Sequence, residues 1–170
     1  MTHHDVPAFH VSSESFAEGQ AVPPAQRSGR MRAGGQDESP QLSWSGAPAE
    51  TRGYAVTMFD PDAPGRGGFW HWAVLDIPAD VRSLPAGAGA EGGKLLPAGA
   101  LQLKNDGGFH GYVGAAPPPG HGPHRYVVTV HALDVAASGL DEHTSPASLE
   151  SKLSRHTLAR ATLTGVYERH

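Results

Sequence analysis

The segment Phe69-Trp70-His71-Trp72-Ala73-Val74-Leu75-Asp76-Ile77 constrains the fold more than any other part of the chain. It is rich in aromatic and β-branched residues and shows little polar alternation. Such a run predicts a central strand covered on both faces. A strand of this kind needs partners, and two further runs supply them. Gly53-Tyr54-Ala55-Val56-Thr57-Met58-Phe59 is bounded by Gly53 and the turn at Pro61, and Tyr126-Val127-Val128-Thr129-Val130-His131-Ala132-Leu133 is its equal in β-forming residues. Weaker strands are expected at Val11–Phe16, on an edge, at Gln41–Trp44, and at Ala161–Tyr167. Ala33–Pro40 reads as a loop, and the Gly/Ala/Pro stretch from Leu84 to Gly93 as a surface loop or mobile segment. One helix is predicted, from Pro146 to about Leu158, with Ser145 as N-cap and Leu149 and Leu153 one turn apart.

Composition agrees with a β-rich chain. The 22 glycines and 15 prolines exceed a fifth of the 170 residues, and both residue types interrupt helices. The length suits a single domain spanning 1–170 that buries a core without staples. A net charge of −4, with no run of Lys or Arg, argues against non-specific nucleic-acid binding. With no cysteine, thiolate metal sites, disulfides and Cys nucleophiles are excluded. No stretch is apolar enough to span a membrane, and Met1–Asp5 lacks the features of a signal peptide, so a cytoplasmic protein is expected.

Three features at strand ends carry chemistry. Asp60-Pro61-Asp62-Ala63-Pro64 follows the first strong strand and is either an Asp/Pro turn or a pair of stiffly displayed carboxylates. His71 lies in the most apolar run, about ten residues beyond Asp60. The short connection makes the two strands neighbours and brings Asp60 towards His71, a pairing that favours the imidazolium. Gly111-Tyr112-Val113-Gly114-Ala115-Ala116-Pro117-Pro118-Pro119-Gly120-His121-Gly122-Pro123-His124 runs straight into the third strong strand. It reads as an anion cradle ending on His124, or as a polyproline II segment.

Together these residues resemble the phosphatidylethanolamine-binding / Raf kinase inhibitor protein family, its small bacterial members in particular. The resemblance rests on Asp60–Pro64, Trp70-His71-Trp72, Gly111–Gly114 with Pro117-Pro118 and Gly120, and His124-Arg125-Tyr126, supported by Ser39–Trp44 and Leu163–Arg169. It implies an antiparallel β-sandwich-like fold with a few short helices. It also implies an anion pocket at Asp60, His71, Pro118, His124 and Tyr126, with Asp62, Trp70 and Gly114 nearby. Ligands of phosphate type, a phospholipid headgroup or a phosphorylated side chain follow from it, as does modulation of a kinase or protease. A homodimer is left open. Ala115-Ala116 and the Gly/Ala-rich Ala86–Gly93 depart from the family pattern near the pocket.

No activated nucleophile is evident, so binding without turnover, cofactor or metal is expected. Two enzyme readings compete with it. His121 and His124, with His71, His110, Asp60 and Asp62, offer metal-ligand types, but the His-x-x-His pair is in a loop. Ser43-Trp44-Ser45-Gly46 lacks the glycine and following helix of a nucleophile turn. Asp60 and His124 sit at strand ends, so alanine at either is expected to remove binding and spare the fold.

Overall fold

A computed structural model describes residues 6–65 and 67–170. Five strands form the main antiparallel sheet: β3 (Gly53–Asp60), β4 (Phe69–Pro78), β6 (Leu101–Gln102), β7 (His124–Leu133) and β8 (Thr157–Tyr167), in the order β6-β4-β3-β7-β8. A smaller sheet, ordered β1-β2-β5, contains β1 (His10–Ser12), β2 (Leu42–Ser45) and β5 (Ser83–Leu84). The predicted sandwich-like antiparallel architecture is the one observed. The Phe69–Ile77 run is covered on both faces as expected, but β3, not β4, is the central strand.

The two faces of the main sheet are buried by different elements. Val56, Met58, Trp72, Val74, Tyr126, Val128 and Val130 pack with Val11, Leu42, Trp44 and Leu84 from the small sheet. On the other face Ala55, Ala73, Leu75, Leu103 and Leu133 pack against Leu149 and Leu153. The side-chain period of two along each strand produces this division.

The C-terminal helix is shorter than predicted. A 3-10 turn at Pro146–Ser148 leads into α1 (Leu149–Leu153), and the chain is extended again from Thr157. Ser145 supplies no side-chain cap. Pairing along β7, from Leu133↔Thr157 to His124↔Tyr167, outweighs the helical tendency of the following residues. The stretch expected to be a loose surface loop at 84–93 is held in place. Leu84 and Ala88 are fully buried, and Ser39 accepts from Gly87 N through its carbonyl and from Gly89 N through its hydroxyl. Val11–Phe16 is strand only as far as Ser12.

Candidate functional site

The site is built where β3 and β7 run out of sheet. Antiparallel pairing of these strands places the last residue of β3 beside the first of β7. Asp60 Oδ2 accepts a 2.6 Å hydrogen bond from His124 Nδ1, and both side chains are almost wholly buried. Asp60 Oδ1 accepts from the backbone N–H of Asp62 at 2.8 Å, which fixes the turn at Pro61. Asp62 then accepts from the backbone N–H and the guanidinium of Arg125 at 2.8–2.9 Å. The Arg125 guanidinium holds the Asp62 carboxyl down at about 2. The two carboxylates of Asp-Pro-Asp thus clamp two successive residues at the start of β7.

The aspartate partner differs from the sequence expectation. His71 does not bond Asp60; its Nδ1 donates to the Val113 carbonyl at 2.7 Å. The reason is a register shift in the β3–β4 pairing: Met58 pairs with Trp72 and Phe59 with Trp70, leaving His71 as the extra residue of a bulge. Burial pushes the His71 pKa below its ordinary value, against the opposing pull of the Val113 carbonyl and Asp60. The ring is therefore neutral rather than the imidazolium expected from sequence, with a lone pair on Nε2.

Asp60, His71, Pro118, His124 and Tyr126 line one cavity of about 180 Å³, joined by Met31, Pro64 and Phe69. His71 and Tyr126 meet edge to face, ring centroids 5.3 Å apart. The Tyr126 hydroxyl is buried and has no hydrogen-bond partner among the described residues. Burial, then the Asp60 charge, push its pKa well above the ordinary phenol value, so it remains a donor. Outside the buried pair, His121 Nδ1 lies 2.6 Å from His124 Nε2. With the Nδ1 proton of His124 committed to the carboxylate, one of the two facing nitrogens donates and the other accepts.

Three residues grouped with this site on sequence grounds lie apart from its lining. Trp70 packs at a tilt on Phe59, centroids 4.2 Å apart, and both line a separate cleft of about 810 Å³. Asp62 is engaged with Arg125. The Gly114 N–H donates to Asp37 Oδ1 at 2.8 Å. The N–H groups of Ala115, Gly120 and His121 are likewise spent, on the carbonyls of Gln26, Arg169 and Pro118. These four backbone donors are therefore not available to a ligand. Met31 and Phe69 carried no signal in the sequence. His121 was visible as His-x-x-His, read there as a metal pair. Among the described residues no group of three or more His, Asp or Glu is placed to hold a metal ion. Ser43 and Ser45 lie within β2 rather than on a nucleophile turn.

This constellation can be set beside known proteins. The sequence profile described as Phosphatidylethanolamine-binding protein matches residues 12–168. The chain belongs to the phosphatidylethanolamine-binding protein family. Among curated members it is similar to the UPF0098 protein YbcL of Escherichia coli, 41% identical over 95% of this chain and 88% of the relative. UPF0098 protein YbhB of the same organism is 42% identical over 91% of this chain and 97% of the relative. The crystal structure of Escherichia coli YbcL, described as a new member of the mammalian family, superposes with a TM-score of 0.92 at 40% identity, covering 95% and 99% of the two chains. No helix among the described residues is long and apolar enough to cross a membrane.

The buried neutral His71 has a consequence for stability. Its folded pKa lies below the unfolded value of about 6.5, so the unfolded chain binds the extra proton. Stability from this group is complete above that pH and declines as pH falls below it, by at most about 1.4 kcal/mol per pH unit. Urea denaturation between about pH 6.5 and 5, above the ordinary carboxylate range, reads the slope. His71→Gln should make it shallower; an equal slope would place the titration elsewhere.

Proposed function

We propose that this family member binds one phosphate-type anion in the Asp60–His71–His124–Tyr126 cavity and does not turn it over. The observation that carries the reading is the buried Tyr126 hydroxyl, left without a partner beside an uncharged His71. A buried polar group without a partner costs free energy that a ligand acceptor would recover. A volume of about 180 Å³ suits a phosphate group and excludes an acyl chain. A bound oxyanion accepts from Tyr126 and supplies the counter-charge that lets His71 take up a proton. The ethanolammonium of a headgroup would add an attraction to Asp60. A phosphorylated side chain offers the same anion, which is how the site would serve a protein partner such as a kinase or protease.

Calorimetry with glycerophosphoethanolamine tests the reading, because a phosphodiester keeps one negative charge throughout. Tyr126→Phe removes one hydrogen bond to a charged acceptor, about 1.5–3 kcal/mol, and should weaken binding at least about tenfold. Affinity should also fall as pH rises from about 5.5 to 8.5, since the protonated His71 holds the anion better. Unchanged affinity in Tyr126→Phe would remove that hydroxyl from the site, and a flat pH profile would remove His71 as the cation. A phosphoserine peptide titrated in parallel separates a protein-borne anion from a headgroup.

A further inference from the structure

At the opposite end of β3 from Asp60, a second cavity of about 330 Å³ lies between β2, the loop after it and the turn leading to β5. Tyr54 and Asp60 stand six positions apart along an extended strand, about 20 Å, so the two cavities are distinct. The residues that matter are Trp44, Thr51, Tyr54 and Arg82, with Gly46 and Pro48 in the wall.

Two of these residues hold buried polar atoms that are unspent among the described residues. Trp44 is 3% exposed, and its indole N–H is buried with no hydrogen-bond partner among the described residues. The Tyr54 ring lies 5.4 Å from the Trp44 ring, and burial raises the phenol above its ordinary pKa against the opposing pulls of Arg82 and of the Trp44 indole, whose N–H approaches the phenol without reaching hydrogen-bond geometry. The Thr51 hydroxyl is also buried and unpartnered. Arg82 is exposed at the mouth and makes no ion pair among the described residues. No carboxylate lines this cavity; the nearby Glu50 and Asp80 are exposed and lie outside the lining. An indole N–H can only donate, and a guanidinium offers a fork matched to two oxygens. What is missing is an acceptor carrying negative charge.

We propose that this cavity is a binding site for a small monocarboxylate. The carboxylate lies between the Arg82 guanidinium and the Trp44 indole N–H, with the Thr51 hydroxyl as a further donor, and its small apolar part rests against Gly46 and Pro48. The site is independent of the phosphate reading at Asp60 and stands or falls separately.

Sodium benzoate is the probe, and the indole cross-peaks in a proton–nitrogen correlation spectrum are the readout. The chain has three tryptophans. Trp72 already donates to Gln102 Oε1 at 2.7 Å, and Trp70 faces the other cleft, so these two peaks serve as internal controls. Benzoate should move the Trp44 indole peak saturably and leave the other two in place. Benzamide, of the same shape without the charge, should bind at least about tenfold more weakly, the loss expected for one charge-assisted contact. Arg82→Gln should weaken benzoate by a similar factor, and Arg82→Lys should recover part of it. Because Arg82 is exposed, both variants are expected to keep the wild-type peak dispersion. A Trp44 peak that benzoate does not move, that benzamide moves equally, or that responds with the same affinity in Arg82→Gln would overturn the proposal.

Discussion

Replacing Asp60 with alanine should lower the unfolding free energy by about 3–5 kcal/mol and abolish anion binding as well. The change strands the buried His124 Nδ1–H and also frees the part-buried Asp62 N–H, and Asp60 itself is only 2% exposed. Each orphaned buried donor costs about 1–3 kcal/mol. The cost is therefore structural first, which corrects the expectation that a strand-end alanine spares the fold. Asp60→Asn, nearly the same in shape, retains an acceptor oxygen and should lose clearly less stability. Denaturant midpoints with unchanged slopes measure both. If Asp60→Ala unfolds within about 1 kcal/mol of wild type, the pair with His124 does not hold the two strand ends.

A substitution outside the cavity should have the next largest effect. At Gly114 an added Cβ would sit 2.3 Å from the Arg27 carbonyl carbon and 2.6 Å from the Gln26 oxygen. These are backbone atoms, so no rotamer change relieves the overlap. Overpacking costs about 1–3 kcal/mol, and Gly114→Ala should fall at the upper end of that range. The same shift would pull the Gly114 N–H from Asp37, whose carboxyl is held ionised, against the opposing effect of burial, by N–H donors from Gly114, Arg30 and Gly29. Loss of that contact would displace Pro117-Pro118, which line the cavity. Both stability and glycerophosphoethanolamine affinity should therefore drop together. A Gly114→Ala protein of wild-type stability would show that the loop can retreat from Arg27 at little cost.

The strands were legible because each strong run is bounded by turn residues and long enough to show its pattern. Gly53–Phe59 and Tyr126–Leu133 agree with β3 and β7 to within two residues. Convergence of Asp60, His71 and His124 was legible because each ends or interrupts β3 or one of the two strands that flank it. Their partners were not. One extra residue at His71 changes which face its neighbours present, and local sequence does not reveal a bulge. That single residue separates Trp70 from the cavity. The length of α1 was hidden for a different reason: the competing force at Thr157 is pairing with a strand more than twenty residues upstream. Asp37, in a stretch read as loop, anchors Gly114 across the molecule at 2.8 Å, a contact with no local signature.

The central claim is that a phosphate-type anion occupies the cavity beneath Tyr126. A crystal structure grown with glycerophosphoethanolamine tests it most directly. The account predicts a phosphate oxygen at about 2.5–3.0 Å from Tyr126 Oη, with a second oxygen within hydrogen-bond reach of His71 Nε2. A cavity that holds only water at saturating ligand, or a phosphate bound elsewhere with the Tyr126 hydroxyl still unpartnered, would contradict it.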